Sequence, residues 1–182
     1  MKHVRLLLFA LLSCAYPLVV YRLLGRFEPR WLALLLCALA LLRAISAREP
    51  LWLWVAAGTG LLAGWASLGN TALPLKLYPV LINGVLLLVF GSSLCFGPPV
   101  IERLARLRTP DLPPHAVAYT RRVTQVWCGF FLFNGSIALG TALWASERVW
   151  ALYNGLIAYG LIGTLFAVEW LVRQRVKARV HG

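Results

Sequence analysis

Charged residues are scarce in this chain, and acidic residues are the scarcest. Only 13% of the 182 residues are charged, and Asp and Glu together number six. Hydrophobic residues make up 60% of the chain and the mean hydropathy is +0.76, whereas soluble domains contain roughly 45–50% apolar residues. The bilayer is therefore the expected solvent, and no polar stretch is long enough to form a separate soluble domain.

Residues that usually build active sites are also few. The histidines are too far apart in sequence to define a metal or acid–base site, and the cysteines lie in or beside apolar runs without a CxxC pair, as buried thiols do. These residues are His3, His115 and His181, and Cys14, Cys37, Cys95 and Cys128. No zinc-protease, nucleophile-elbow or phosphate-loop motif is present. The sequence therefore predicts no catalytic residue, no metal site and no cofactor.

Long apolar runs fill the chain instead. Crossing about 30 Å of hydrocarbon takes about 20 apolar residues, so the chain has room for about six spans. The runs are continuous where the strands of a membrane barrel would alternate, and this favours helices. The expected fold is all-α: a polytopic helix bundle forming a single integral membrane domain, residues 1–182. The spans are expected near residues 4–24, 31–47, 51–68, 77–96, 123–145 and 149–172.

The basic residues favour one orientation in the membrane. With a cytoplasmic N-terminus, the inside segments hold thirteen of the eighteen Lys and Arg residues and the outside segments hold the other five, as the positive-inside rule favours. We therefore expect a multi-pass protein of the bacterial inner membrane with both termini in the cytoplasm. The exception is the first loop, with Arg22, Arg26 and Arg30. If that loop is cytoplasmic, the first two spans form a re-entrant hairpin or the count falls to five.

The longest polar segment, residues 97–122, is expected to be a cytoplasmic loop. Apolar residues recur there at helical spacing, opposite Glu102 and several arginines, which predicts a short amphipathic helix on the membrane surface. The apolar positions are Val100, Ile101, Leu104 and Leu107. Because guanidinium groups bind phosphate oxygens bidentately, the loop is a candidate contact for anionic lipid headgroups; the alternative is a solvated basic anchor. The candidate contacts are Arg103, Arg106, Arg108, Arg121 and Arg122.

Polar side chains inside the apolar runs are the other candidate site. The dipeptide Asn-Gly occurs within spans at Asn83, Asn134 and Asn154, where an amide beside a close helix crossing adds about 0.6–2 kcal/mol per interhelical bond. The alternative is that these amides line a polar substrate cavity. Glu169 lies well inside an apolar run, which suggests a coupling or proton-relay role. It also precedes Arg173 by four residues, and this spacing allows an ordinary ion pair on the helix surface.

Two further patterns concern packing. Gly60 and Gly64 are four residues apart in the third predicted span, which favours close helix contact within the chain or with a second copy. Most tryptophans lie near predicted span ends, which is typical of the membrane–water interface. These are Trp31, Trp52, Trp54, Trp127, Trp150 and Trp170.

Several short motifs in the C-terminal part of the chain carry a family resemblance. They are Lys76-Leu77-Tyr78-Pro79-Val80, Ile101-Glu102-Arg103-Leu104-Ala105-Arg106-Leu107, Pro110-Asp111-Leu112-Pro113-Pro114, Tyr119-Thr120-Arg121-Arg122-Val123-Thr124, Val126-Trp127, Trp150-Ala151-Leu152-Tyr153-Asn154-Gly155 and Glu169-Trp170-Leu171-Val172-Arg173. Together they resemble a family of predicted proteobacterial inner-membrane proteins, commonly encoded beside aryl-polyene and xanthomonadin-type pigment genes. A weaker similarity, over residues 122–127, Asn134 and the final two spans, links the chain to the intracellular septation protein A family.

The resemblance implies a non-catalytic inner-membrane accessory protein for the assembly or trafficking of an envelope lipid, with an aryl-polyene lipid as the candidate. Some family members are labelled "ketosynthase", but a condensing enzyme needs a nucleophilic Cys with two basic partners on a soluble scaffold. A small transporter or flippase and, less favoured, a membrane-embedded transferase stay open. The expected partners are membrane lipids, other envelope-lipid synthesis or export proteins, or a second copy of the chain. Nucleic acid is not expected, because the net charge of +12 is gathered at the ends of apolar runs.

Overall fold

The part of the chain that the computed structural model describes is almost wholly helical. It comprises residues 20–23, 28–47, 50–69, 71–107 and 109–181. Within these ranges no strand occurs, and the all-α prediction is confirmed for them. The predicted first span, residues 4–24, falls outside the described residues except for residues 20–23, which are helical.

The helices follow one another with short connections. They are α1 (Pro29–Ala47), α2 (Pro50–Gly69), α3 (Leu73–Lys76), α4 (Tyr78–Cys95), α5 (Val100–Arg106), α6 (Pro114–Trp144), α7 (Glu147–Leu152), the π-helical turn π1 (Tyr153–Ile157) and α8 (Ala158–His181). The last three elements run on without a break as one long helix. Several helices begin at or next to a proline, which suits the first turn because its missing N–H would have no intrahelical partner there. These prolines are Pro29, Pro50, Pro74, Pro79 and Pro114.

In the part of the chain that the structure describes, three helices are long and apolar enough to cross a membrane. They are α4 with 18 residues, α6 with 31 and the continuous helix Glu147–Val176 with 30, against the roughly 20 that a bilayer requires. Two further apolar stretches, Trp31–Leu42 in α1 and Leu53–Gly69 in α2, are shorter. The structure thus supports three membrane-crossing helices, and the arrangement of six spans stays a prediction.

The start of α6 differs from the prediction. The fifth span was expected from residue 123, but the helix begins at Pro114. The basic pair Arg121 and Arg122 suggested a boundary that the backbone does not have, because basic residues are compatible with a helix even where they end its apolar part. The helix instead begins after Pro113, which is in an extended conformation with a ψ of 155°. The predicted loop is therefore shorter, and its last nine residues are helical.

The helices pack in neighbouring pairs. α1 packs along α2, α4 packs along α6, and α5 lies against α6. One buried cluster joins α1, α2, α3, α6 and α7 around Trp150, which is fully buried. Many large apolar side chains point outward instead, among them Leu61, Leu68 and Trp144 with exposed fractions of 78%, 92% and 83%. Helices that are apolar on their outer faces suit a lipid environment.

Two predictions about packing are corrected. Trp127 and Trp150 lie near span ends, as interface residues do, but both are buried in the protein. Gly60 and Gly64 were expected at a close helix contact. A Cβ at Gly60 would lie 3.9 Å from Cys37 Sγ of α1, whereas no described atom outside its own helix backbone lies within 4 Å of a Cβ at Gly64. Contact of this face with a second copy of the chain stays a prediction. Gly58 makes the close contact of α2, against the side chain of Leu81. Sequence spacing defines a helix face, but the rotation of each helix decides which face meets a neighbour.

Candidate functional site

The side chains of Asn83 and Asn134 meet across the contact between α4 and α6. Asn134 Nδ2 donates to Asn83 Oδ1 at 3.1 Å, and Asn134 Oδ1 accepts a hydrogen bond from the Tyr153 hydroxyl at 2.9 Å. Asn83 Nδ2 donates to the Pro79 carbonyl at 2.8 Å. All three side chains are buried. This amide network (Asn83, Asn134 and Tyr153) joins α4, α6 and π1.

Gly135 brings the two backbones close at the amide network. A Cβ at residue 135 would lie 3.1 Å from Asn83 Cβ, which is tighter than ordinary van der Waals contact. The glycine after Asn83 is different, because no described atom outside its helix backbone lies within 4 Å of a Cβ at Gly84. The glycine of the Asn-Gly dipeptide therefore lies at the close helix crossing in α6 (Gly135) but not in α4 (Gly84).

Asn154 makes a second link between α6 and π1. Its Nδ2 donates to the Trp150 carbonyl at 2.9 Å and to Thr141 Oγ1 at 3.2 Å. Thr141 follows Asn134 by seven residues, about two helical turns, so both lie on one face of α6. Tyr153 and Asn154, adjacent in π1, thus bond to this single face. A π-helical turn widens the backbone locally, and such turns often occur at functional sites.

The hydrogen bonds of the three asparagines favour a structural role over lining a polar substrate cavity. Each amide donates to a carbonyl or to another side chain, and two of the three asparagines bond to one another. These contacts are those of the structural role, in which amides hold helices together. A small cavity of about 10 Å³, lined by residues such as Thr59, Leu75 and Tyr78, contains none of the network residues.

Glu169 lies between α6 and α8 and is paired. Its side chain is 11% exposed and accepts three hydrogen bonds from Arg173, one from Nε at 2.9 Å and two from Nη2 at 2.7 and 2.6 Å. It also accepts a hydrogen bond from the Tyr119 hydroxyl at 3.2 Å. The ion pair that the four-residue spacing allowed is therefore present. Tyr119 extends it into a contact between helices.

The predicted helix is present as α5, but one charged residue lies differently from the prediction. Glu102, expected on the charged face, is buried with an exposed fraction of 5%. Leu104 and Leu107, expected on the apolar face toward the membrane, are 55% and 81% exposed, so the protein leaves them uncovered. Arg106 donates to Glu102 at 2.9 Å and ion-pairs with it at 2.8 Å. Because this partner balances its charge, Glu102 can lie on the protein side of α5.

The candidate headgroup arginines fall into different environments. Arg106 is bound to Glu102 and to the Pro110 carbonyl at 2.8 Å. Arg122 is exposed and makes no hydrogen bond or ion pair to any described residue. Arg108 lies outside the described residues.

Arg103 and Arg121 both reach the C-terminal end of α4. Arg103 Nε donates to the Pro98 carbonyl at 2.7 Å, and Arg121 Nη2 donates to the Leu94 carbonyl at 3.0 Å. The two side chains come from α5 and α6, so the fold brings them to the same five residues of backbone. Of the described candidates, these two arginines donate to the backbone at the same end of α4.

Sequence reasoning missed three residues that connect helices. Tyr153 and Tyr119 supply hydroxyl donors to Asn134 and Glu169. Trp150 Nε1 donates to the Lys76 carbonyl at 3.0 Å. No local pattern marks these tyrosines, because their partners are 19 and 50 residues away. A buried tryptophan whose N–H needs a partner is a weak signal that could have been used for Trp150.

Comparison with known proteins does not assign a role to the residues of this site. Among the described residues, no group of three or more His, Cys, Asp or Glu side chains could hold a metal ion. The resemblance of the chain's motifs to the pigment-associated inner-membrane family stays a prediction from those motifs. No family model, curated protein or solved structure matches the chain.

Proposed function

We propose that this protein is a non-catalytic accessory protein of the bacterial inner membrane that helps to assemble or move an envelope lipid, with an aryl-polyene lipid as the candidate. The observation that carries the proposal is the amide network. Its buried polar groups bond to one another and hold α4, α6 and π1 together. Polar groups used in this way stabilise a helix assembly, and the outward apolar faces remain for contact with lipids or membrane partners.

The outer surface supports a role in contact with lipid. Large apolar side chains on α2, α4 and α8 are more than half exposed, among them Leu61, Leu88 and Phe166. In water such a surface would drive association, but in a bilayer it is solvated by acyl chains. The partners that suit it are membrane lipids, other envelope-lipid synthesis or export proteins, or a second copy of the chain. The link to an aryl-polyene lipid rests on the motif resemblance.

The test is a clean deletion in the native host, followed by lipid extraction and comparison of polyene pigment in inner and outer membrane fractions. The proposal expects pigment to be lost or retained in the inner membrane, and to be restored by the wild-type chain. Complementation with Asn134→Leu should restore it less well than Ser136→Ala, because exposed Ser136 bonds only within its own helix. Unchanged pigment amount and location in the deletion strain would remove the aryl-polyene link.

A small transporter or flippase is the alternative, and the π-helical turn favours it because such turns recur at functional sites. In that case Asn83, Asn134, Asn154 and Glu169 would border a path for a polar headgroup. Single cysteines placed along α4, α6 and α8 would distinguish the two functions. A path requires a row of positions that react with a water-soluble maleimide inside the bundle, whereas the accessory protein requires reactive positions only at the helix ends.

A membrane-embedded transferase is less favoured, since it needs a general base. Of the two carboxylates in the predicted loop, Glu102 is buried and bound to Arg106, and Asp111 is exposed. Replacing Asp111 by Asn tests this function directly. Complementation that remains complete with Asp111→Asn supports the non-catalytic proposal, and complete loss at normal protein levels would favour the transferase.

We infer that both termini lie in the cytoplasm. Cys95 is exposed at the end of α4 that adjoins the basic loop, and Arg148, in α7, is exposed beyond the opposite end of α6. In a chain without its other cysteines, a membrane-impermeant maleimide should label Cys95 from the cytoplasmic side. In a variant that carries Arg148→Cys instead, it should label only from the periplasmic side. The reverse pattern would invert the topology.

A further inference from the structure

Two guanidinium groups from different helices converge on the backbone that follows α4. Arg121 reaches the Leu94 carbonyl and Arg103 reaches the Pro98 carbonyl, on either side of Gly97. Gly97 has a φ of +85°, and this left-handed conformation turns the chain between the two carbonyls. Arg103 lies against the turn, with Nη2 at 3.6 Å from the position of a Cβ at residue 97. The negative end of the α4 dipole helps to hold both cations there.

Both guanidinium groups have hydrogen-bond capacity left. A guanidinium carries five N–H donors, and among the described residues Arg103 and Arg121 each donate one bond, to a carbonyl. Both side chains are exposed, and within the same described ranges neither has an ion-pair partner. The neighbouring carboxylate Glu102 is taken by Arg106. The fold therefore positions both guanidinium groups, and no described carboxylate neutralises their charges.

Large apolar side chains border the two arginines. Phe96 lies between the two carbonyl positions and is 78% exposed, and Leu104 and Leu107 on the outer side of α5 are 55% and 81% exposed. Apolar side chains beside cations at the end of an apolar helix match the chemistry of the bilayer interface, where phosphates lie above acyl chains. A free phosphate ion would gain nothing from these three residues. A lipid would contact both parts of the surface.

We propose that Arg103 and Arg121 bind the phosphate of an anionic lipid headgroup, with Phe96, Leu104 and Leu107 against the glycerol and acyl region of the same lipid. Guanidinium forks bind phosphate oxygens through parallel charge-assisted hydrogen bonds. The proposal reduces the five candidate headgroup arginines to two. It assigns Arg106 a structural role in the ion pair with Glu102. It rests on the proposed function, because it specifies the class of lipid that the accessory protein holds.

The test is native mass spectrometry of the purified full-length chain in detergent, titrated separately with phosphatidylglycerol, phosphatidylcholine and inorganic phosphate. The double variant Arg103→Gln/Arg121→Gln should bind phosphatidylglycerol about tenfold more weakly, because charge-assisted hydrogen bonds are lost. The matched control Arg148→Gln/Arg175→Gln removes the same charge from two exposed residues that are not candidate headgroup contacts. It should change binding less than about twofold.

Three results would overturn the site. Equal loss in both double variants would mean that the basic surface binds by overall charge. Phosphatidylcholine binding as tight as that of phosphatidylglycerol would remove the preference for anionic lipid, and inorganic phosphate binding as tight as phosphatidylglycerol would remove the lipid. Should Arg103→Gln/Arg121→Gln not fold, Arg103→Lys/Arg121→Lys gives the same comparison. That pair keeps both charges without the forks, so it should still weaken binding, and full binding would also contradict the proposal.

The two experiments can reject the lipid site and the proposed function independently of each other. Absence of specific phosphatidylglycerol binding, with pigment misplaced in the deletion strain, would overturn the site and keep the accessory role. Specific binding that depends on Arg103 and Arg121, with unchanged pigment in the deletion strain, would keep the site and remove the pigment role.

Discussion

The first hairpin (α1 and α2) and the second half of the chain (α4 to α8) hold their helices together differently. In the first hairpin the buried residues are mostly small and apolar, such as Ala33, Ala56 and Ala63, and buried Thr59 bonds to its own helix at the Val55 carbonyl. In the second half, buried polar side chains bond between helices, and aromatic rings pack across them. Trp127 and Phe166 have ring centroids 4.7 Å apart.

This difference shows what orders helices in an apolar solvent. Lipid tails are as apolar as leucine, so helix association depends on close packing and interhelical hydrogen bonds. Small residues allow two helices to approach, but they tolerate several rotations. A directional bond such as that from Asn134 to Asn83 requires one rotation of each helix. The second half is therefore the region with the more specific internal contacts.

The two regions meet where α2 packs against α4 and at Trp150. Its ring lies in a buried cluster with Leu32, Ala63 and Leu75 from the N-terminal elements, and its Nε1 donates to the Lys76 carbonyl. We expect Trp150→Ala to lower the free energy of unfolding by about 3–5 kcal/mol, because it opens a cavity and removes a buried hydrogen bond. The measurement is unfolding in mixed micelles of increasing SDS fraction. The control Trp144→Ala, at an 83% exposed position, should change the free energy by less than about 0.5 kcal/mol. Equal effects would mean that Trp150 does not join the two regions.

Substitutions in the amide network should show the second largest difference in stability between the two regions. We expect Asn134→Leu to cost about 2 kcal/mol, since it removes two interhelical bonds and leaves the Tyr153 hydroxyl without its acceptor. In the first hairpin, Thr59→Val should cost about 0.5 kcal/mol because the lost bond lies within one helix. SDS titration of each variant measures both. The double variant Asn83→Leu/Asn134→Leu should cost less than the sum of the single variants, and strict additivity would show that the two amides do not interact.

Substitutions of glycines at helix contacts are expected to have smaller effects on stability. We expect Gly135→Ala to cost about 1 kcal/mol, because the added methyl meets Asn83 Cβ, which is fixed to the α4 backbone. At the contact between α2 and α4, Gly58→Ala meets the terminal methyl groups of Leu81. That flexible side chain can turn away, so the expected cost is smaller. Gly129→Ala has no described neighbour within 4 Å and serves as the control in the same titration. A Gly58→Ala cost larger than that of Gly135→Ala would contradict the comparison.

The smallest effect is expected at the contact of Tyr119 with Glu169. Tyr119→Phe should cost about 0.5 kcal/mol, because Glu169 keeps its ion pair with Arg173. Arg173→Gln should cost more, since it leaves a mostly covered carboxylate without its cation. Unfolding in mixed micelles ranks the two variants. If Tyr119→Phe proved the more costly, Tyr119 rather than Arg173 would be the main partner of Glu169.

Much of the helix content could be predicted from the sequence, and little of the site geometry could. Spans predicted at residues 77–96 and 149–172 correspond to α4 and to most of the final helix, because length and apolar composition suffice for a bilayer. The burial of Glu102 and of Trp127 was not predicted. In a membrane protein most faces are apolar, so sequence periodicity does not reveal which face meets the protein.

In the candidate site too, the sequence identified the unusual polar residues but not their partners. Asn83, Asn134 and Asn154 stood out because amides are rare in apolar runs, and Glu169 stood out because a carboxylate is costly there. The partners Tyr153, Tyr119 and Thr141 did not stand out, since tyrosine and threonine occur commonly in such segments. Arg103 and Arg121 could be distinguished from the other loop arginines only by the carbonyls that they reach.

By itself the sequence determined that the chain is helical and apolar, where the last helices run and which polar residues are unusual. These properties depend on composition and local length, which each segment carries without its neighbours. Only the tertiary structure decided that Asn134 joins Asn83 to Tyr153, that Trp150 connects the two regions and that two arginines meet at the end of α4. These contacts depend on the crossing and rotation of whole helices, because packing and interhelical bonds, not the hydrophobic effect, select neighbours in lipid.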